Sequence, residues 1–510
     1  MPSKVPAPSR QTGTTIAATA SLAAGPAPTP AVTGADSRRW LILAVVALAQ
    51  LMVVLDATIV NIALPSAQQA LHFSDIQRQW VVTAYSLAFG SLLLLGGRLT
   101  DLIGRKVTFI AGLIGFAGAS ALGGAAGSFG MLVVARACQG AFGALLAPAA
   151  LSLLTVTFRD AKDRGQAFGV FGAIAAAGGA VGLLLGGLLT QYLIWRWCLY
   201  VNLFFAAAAC AGAVLLLRRQ PAGPRPRLDL PGLAAEVAGM FSVVYGFSNA
   251  ASDGWHAPAT WGFLTAGVVL LAAFGYIETR TRQPLLPLRI VLDRNRGASY
   301  LSILITGAGM FGIFLFLTYY LQETLGFSPV TAGLAFLPMV AAIVVCSNLA
   351  NIVLLPRIGP RLLVASGMLA AAAGLAWLTR IGVHSSYAAD VLPALLLASA
   401  GLGFVMSPSM NTGTAGVTPS DAGVASAMVN TGQQVGGSIG TSLLNTVAAS
   451  AAASYLAAHL SPRTAPAGRP TAMLTALAQV HSYTTAFWWA AALFAGGSIL
   501  AWLLFRPGTR

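Results

Sequence analysis

The sequence predicts an all-α polytopic membrane protein, with two pseudo-symmetric six-helix bundles and two additional central helices, fourteen spans in all. Three observations carry that prediction. The 510 residues are 57% hydrophobic and only 8% charged, with mean hydropathy +0.77, and the apolar runs recur at about the 20 residues that a membrane helix needs. The cations lie in short clusters between those runs. The two halves of the chain also repeat one another's glycine spacing.

Residues 1–37 are rich in Pro, Ala, Ser and Thr without apolar periodicity, which predicts a disordered cytoplasmic tail. The weakly apolar stretch from Ile16 to Gly25 gives little support to a cleavable signal peptide. The first bundle, 38–217, holds six runs: Trp40 to Leu64, Trp80 to Gly97, Val107 to Ala126, Met131 to Phe158, Gln166 to Tyr192 and Trp197 to Leu217. Four arginines and four prolines then mark 218–231 as a basic cytoplasmic linker. The inserted pair, Gly232 to Asn249 and Thr260 to Tyr276, occupies 232–278, and a second basic linker follows over 279–297. The last six runs build the second bundle, 298–510: Ala298 to Leu321, Pro329 to Leu355, Leu362 to Ile381, Tyr387 to Thr412, Gly423 to Ser450 and Tyr483 to Phe505.

Charge tests this count. With both termini cytoplasmic, 23 of the 29 Lys and Arg residues fall in the tail and inner loops, five in outer loops (Arg78, Arg196, Arg380, Arg463 and Arg469), and Arg136 within a span. A wrong count would scramble that asymmetry. Gly178, Gly179 and Gly182 are matched, 258 residues later, by Gly436, Gly437 and Gly440, and Ile103-Gly104-Arg105-Lys106 is echoed at nearly the same shift, 255 residues, by Ile358-Gly359-Pro360-Arg361. Parallel repeats about an axis along the membrane normal, with a substrate site at their interface, explain this spacing. Small residues that let membrane helices pack closely are the other explanation.

Composition also excludes several functions. The net charge of +15 is spread as orientation signals rather than as a basic face, so no nucleic-acid partner is expected. Cys138, Cys198, Cys210 and Cys346 lie in or beside apolar runs without Cys-x-x-Cys spacing and read as small buried hydrophobes. The histidines lack ligand spacing, so no metal is expected. There is no phosphate-binding loop and no nucleophile triad, so neither ATP-driven transport nor enzymatic hydrolysis is expected.

The polar stretch Gly97 to Lys106 predicts a tight turn between two spans, where Gly97 and Gly104 allow close backbone approach and Asp101, Arg105 and Lys106 supply charge for a conformational latch. An ordinary positively charged cytoplasmic loop is the alternative. Ionisable groups inside spans cost roughly 2.5 to 3.5 kcal/mol each on insertion scales and point to function. Asp56, Arg136 and Glu236 qualify. A carboxylate in a low-dielectric cavity takes up a proton when desolvated and releases it beside a cation or water, which suits Asp56 as a proton carrier. At the membrane surface the same residue would merely cap a helix end. Arg136 keeps its charge and so tunes rather than carries the proton, unless it snorkels to the surface. Glu236, near the cytoplasmic boundary and the linker arginines, is expected to form a local salt bridge.

The run Leu55-Asp-Ala-Thr-Ile-Val-Asn-Ile-Ala-Leu-Pro65, the Gly97 to Lys106 turn, Arg136 with Gln139-Gly140, Trp195-Arg196-Trp197 through Asn202, and Tyr320-Leu321-Gln322 with Gly326 to Pro329 together resemble the fourteen-helix drug:proton antiporter branch of the major facilitator superfamily. The resemblance covers residues from about 40 to 510. It implies a secondary active transporter of a bacterial plasma membrane that exports amphipathic drugs, dyes or antibiotics, cationic ones included, in exchange for protons by alternating access. Asp56 and Arg136 then take the proton-coupling roles, and the energy source is the proton gradient, with no cofactor. The fifth-span signature is represented by Gly178, Gly179, Gly182, Gly186 and Gly187, with Leu183 where the family usually has proline. Polar groups expected to face the cavity are Asn61, Tyr85, Gln139, Tyr319, Gln322, Asn411, Asn430 and Gln434. Partners are small substrates and membrane lipids, and the chain is expected to work as a monomer. A facilitator or importer of a small organic solute would share the fold. A non-transporting sensor or scaffold would need neither Asp56 nor Arg136 within spans.

Overall fold

In the computed structural model, residues 34–158, 161–217, 229–281, 284–417, 422–459 and 471–506 are described, and all their regular structure is helical. Helices α1 (Gly34–Leu71), α2 (Asp75–Ile103), α3 (Arg105–Gly124), α4 (Phe129–Thr157), α5 (Ala161–Tyr192) and α6 (Trp197–Leu216) form the first half. The inserted pair is α7 (Leu230–Asp253) and α8 (Pro258–Arg280), followed by the short α9 (Leu288–Val291). The second half comprises α10 (Arg294–Tyr319), which continues as a π-helical turn over Tyr320–Thr324, then α11 (Pro329–Ala335), α12 (Leu337–Leu349), α13 (Leu355–Leu378), α14 (Leu392–Thr414), α15 (Ala422–His459) and α16 (Ala472–Leu504).

Eleven segments among the described residues are long and apolar enough to cross a membrane. One of them, Pro329–Leu378, is 50 residues long and bends at Gly359, so it holds two helices. α5 and α15, 32 and 38 residues long, add two more helices of spanning length.

Polar side chains start the helices as local chemistry requires. Ser74 and Gln77 form a reciprocal capping box at α2, and Ser128, Asp229, Asp293 and Thr471 cap α4, α7, α10 and α16. These caps let helices run past the apolar windows. The sequence places a loop at Gly97 to Lys106, but α2 continues through Thr100, whose hydroxyl donates to the Gly96 carbonyl at 2.8 Å, and on to Ile103. The turn is therefore Gly104 alone (φ 90°, ψ 145°), a conformation that disfavours a side chain. Gly97 is helical, and the Asp101 side chain lies outside the described residues.

The repeat is visible in backbone and packing. Gly359 adopts φ 73°, ψ 168°, the same positive-φ turn as Gly104, at the matching place in the second half. Close approach also repeats. A Cβ on Gly182 of α5 would lie 2.0 Å from Thr58 Oγ1 of α1, and one on Gly440 of α15 would lie 2.4 Å from Ala308 Cα of α10. The helix carrying Asp56 is thereby seated on α5 as α10 is seated on α15. Arg39 of α1 and Asp163 of α5 add an ion pair of 2.7 Å near the α2–α3 end of the bundle.

The halves touch toward the other end, where α1 gives way to α2. Gln322 Nε2 donates to Ile62 O at 3.2 Å, the Val330 amide to Gln191 Oε1 at 3.3 Å, the Tyr319 hydroxyl to Gln68 Oε1, and Ser438 Oγ to Thr83 O at 3.3 Å. Arg78, placed in an outer loop by the sequence, sits in the first turn of α2. It is 4% exposed, with its guanidinium 4.1 Å from the Tyr319 ring. An aromatic face from the other half lets this arginine be buried.

Candidate functional site

Asp56 stands midway along α1 and is fully buried. Three donors converge on its carboxylate. Arg136 Nη1 of α4 reaches Oδ2 at 2.6 Å, while Gln139 Nε2 of α4 and Asn202 Nδ2 of α6 reach Oδ1 at 3.0 and 2.7 Å. Helical spacing explains the pair on α4, since residues three apart share a face. Both amides also contact Ser120 Oγ of α3, at 2.7 Å from Gln139 and 3.3 Å from Asn202. Four helices therefore meet on one polar node inside the first half.

The guanidinium is held on all sides. Arg136 is 2% exposed, donates from Nε to Val81 O at 3.1 Å and from Nη1 to Gln139 Oε1 at 2.8 Å, and stacks 4.4 Å from the Tyr85 ring. Snorkelling is excluded by this burial, and Asp56 caps no helix end. A buried carboxylate with a fixed cation and two amide donors is stable as an ion pair only while that geometry holds, because losing one partner leaves a charge in a low dielectric. An apolar pocket between α1, α2, α4 and α6 borders Arg136, with Val60, Ala63, Leu132 and Leu199 in its wall.

The signature glycines of α5 serve this node indirectly. Gly178, Gly182 and Gly186 abut Leu51, Val54, Leu55, Thr58 and Ile59 of α1, so they set the helix on which Asp56 rides. Gly187 instead faces Pro329 and Val330 of α11, while Gly179 has open space around it. Leu183, in place of the expected proline, is fully buried, and its carbonyl lies where a Cβ on Gly333 would be 2.6 Å away.

The sequence candidates divide sharply. Asp56, Arg136, Gln139 and Tyr85 are assembled in the node, with the Tyr85 hydroxyl lacking a hydrogen-bond partner. Asn61 is 6% exposed and turned back onto Ala57 O at 3.0 Å. Tyr319 and Gln322 close the contact between halves rather than line an open space. Asn430 donates to Ser426 O of its own helix at 3.1 Å, Gln434 is half-buried beside Gly90, and Asn411 is exposed. In the latch, Lys106 donates to Val214 O at 2.9 Å and to Leu217 O at 2.5 Å, which ties α3 to the end of α6. The expectation for Glu236 is corrected: it is 2% exposed, and neither carboxylate oxygen has a hydrogen-bond partner. Its helix points it inward.

Asn202 and Ser120 were not among the sequence candidates. The sequence signals for Asn202 are its place at the end of the Trp195-Arg196-Trp197 run that carries the resemblance and its isolation as an amide in the apolar run of α6, and for Ser120, in an Ala/Gly-rich stretch, there is none.

An all-helical bundle in two repeated halves, with an ion-paired carboxylate in its interior, is the architecture of a secondary membrane transporter. Comparison with known proteins makes the class specific. The Major Facilitator Superfamily profile matches residues 46–441, and the chain belongs to that family. It is 49% identical over 490 residues to a puromycin resistance protein of Streptomyces alboniger, covering 96% of this chain and 95% of that one. It is 39% identical over 398 residues to a cephamycin export protein of Amycolatopsis lactamdurans, covering 76% and 81%. A solved bacterial homolog of the human lysosomal transporter Spinster shares the fold at TM-score 0.64 and 16% identity, over 91% of this chain and 96% of that one.

Proposed function

We propose that this chain is a proton-driven exporter of amphipathic antibiotic-like molecules, crossing a bacterial plasma membrane fourteen times with both termini cytoplasmic. The observation that carries the reading is the fully buried Asp56 carboxylate held by Arg136, Gln139 and Asn202. The resistance and export functions named for the relatives supply the substrate class. A proton arriving on Asp56 cancels the charge that orients those donors, so α1 is released from α4 and α6. When the proton leaves, the ion pair re-forms and draws the helices together again. Each ligand shifts the balance between the two arrangements only by its differential affinity for them. A cationic substrate competes with the proton for the same negative group, which gives exchange. The proton gradient supplies the energy, with no cofactor or metal taking part.

Purified protein in liposomes tests this reading. Wild type should accumulate ethidium or puromycin against its gradient when a pH gradient is imposed, and lose that ability when the gradient is collapsed. Asp56→Asn should abolish uphill movement, most severely for cations, while Asp56→Glu retains a fraction. Uphill transport by Asp56→Asn, with proton release equal to wild type, would place the carrier elsewhere. Flux indifferent to the pH gradient would mark a facilitator.

A further inference from the structure

We infer that Glu236 is a second proton-binding site, through which the inserted helix pair takes part in the transport cycle. The inference rests on the proton-coupled reading above.

Glu236 lies in the second turn of α7, on the buried face that also presents Ala235, Gly239 and Ser242. Ala234, Ala238 and Phe241 point the other way and are exposed. That buried face packs closely on α8, since a Cβ on Gly239 would lie 2.9 Å from Leu271 Cγ. Ala235 belongs to an apolar cluster with Phe274 of α8 and Leu285 and Leu286 of the following segment, against which Met428 of α15 also packs. The carboxyl is 2% exposed and both oxygens lack a partner.

An isolated carboxylate in such surroundings is costly, whereas a neutral carboxylic acid is not. Among the described residues of the surrounding elements, none pairs with Glu236. On α8, Glu278 accepts from the Leu286 amide at 2.9 Å, and Arg280 is exposed against Tyr276. On α15 no acidic or basic residue precedes His459 at the far end. On α2, Arg98 donates to Pro284 O at 2.7 Å, Arg78 lies at the opposite end, and the side chains of Asp75 and Asp101 are outside the described residues. On α7 itself, Asp229 caps the first turn and accepts from Thr281. Beyond α8, Arg289 lies on α9, and Asp293 caps α10 and pairs with Arg296 at 3.6 Å.

Position links this group to the cycle. α7 contacts both halves: Ser248 bonds Ser442 of α15 at 2.8 Å, and the Tyr245 ring lies 5.8 Å from Trp80 of α2. When the halves rock, α7 cannot keep both contacts unchanged, so the surroundings of Glu236 differ between the two states. A carboxyl that is dry in one state and wetted in the other binds a proton in the first and releases it in the second. Asp56, far along the chain in the first half, forms a separate site with its own partners. Two such sites make the exchange more than one proton per substrate.

Two measurements on the full chain in lipid decide the matter. In pH-difference infrared spectra, the protonated-carboxyl absorption of wild type should lose one component in Glu236→Gln, and that component should persist in Asp56→Asn, which loses a different one. In liposomes, the pH gradient that just balances an ethidium or puromycin gradient gives the proton count, which should fall by about one in Glu236→Gln. Glu236→Asp, which keeps the acid, should retain both the component and the count. The inference is overturned if Glu236→Gln keeps every wild-type component or the wild-type count, or if Glu236→Asp loses the count as Gln does. A wild type that ignores the pH gradient would defeat the proton-coupled reading instead, and the infrared component would still report on Glu236.

Discussion

At the scale of single residues, the site was legible where insertion cost is high. Asp56 and Arg136 stood out because an ionised group within an apolar run needs a reason to be there, and the structure brings them to 2.6 Å. Asn202 and Ser120 were not, since neutral polar residues are cheap enough in membrane helices to be common without function. The same cheapness explains why Tyr319, Gln322 and Asn61 looked like cavity residues: their polar atoms are spent on backbone or on the other half. Arg136→Lys tests the geometry. The guanidinium serves Asp56, Gln139 and Val81 from two nitrogens in a fixed plane, which one ammonium on a flexible stem cannot copy. Gradient-driven efflux should fall roughly tenfold or more, measured as initial rate with the amount of membrane protein unchanged. Asn202→Leu removes the 2.7 Å donor and should cost about 1 to 3 kcal/mol, read as a lower thermal midpoint in detergent. An unchanged midpoint would show that Asn202 adds nothing to the node.

At the scale of elements, apolar windows located the crossings but not the helix ends. Inside a bilayer every backbone group must bond within its own helix, so apolarity marks the crossing. Outside it, local chemistry decides: α2 runs on to Ile103 and stops at the positive-φ Gly104, Thr471 starts α16 at Ala472, and α15 continues to His459. Glycine spacing was more informative, because it reads close approach directly. Gly182→Val should therefore fail at a definite place: its side chain would meet Thr58 and the Leu55 carbonyl, pushing α1 and Asp56 off α5. The expected result is lost transport and a protein yield well below that of Gly179→Val, whose site is open. Equal yield and activity for the two variants would show that the α1–α5 contact is slack. Asp101→Asn, one helical turn before Gly104, should slow turnover while leaving membrane insertion intact, since it removes a charge from the last turn of α2 and not from the Asp56 node. Normal turnover would reduce this turn to an ordinary loop.

At the scale of the whole molecule, the two-fold repeat was readable as a 258-residue shift, yet the arrangement of one half against the other was not. Contacts between halves are made by residues such as Ile62, Gln191 and Val330, whose types are ordinary and whose partners are distant in sequence. The proposed topology places these contacts on the outer side, and tags at Pro226 and Pro466 should report cytoplasm and exterior respectively. The hydrogen bonds and the Arg78–Tyr319 stack then hold the outer ends together, with Ala332 of α11 fully buried in the sealed region and Asn411 at the other end of α14 exposed. Alternating access requires that this outer seal open and that the exposure of the two ends exchange. With the four native cysteines replaced by serine, Ala332→Cys should react slowly with an impermeant maleimide added outside resting cells, and Asn411→Cys rapidly from the cytoplasmic side of inverted vesicles. Binding of a transported cation or a change of pH shifts the population between the states, so it should raise labelling at Ala332→Cys and lower it at Asn411→Cys together. A reciprocal change marks one rigid rocking motion. If both positions became more reactive at once, the halves would be loosening rather than rocking, and if Ala332→Cys were fully reactive at rest, the outer seal would not be the resting arrangement.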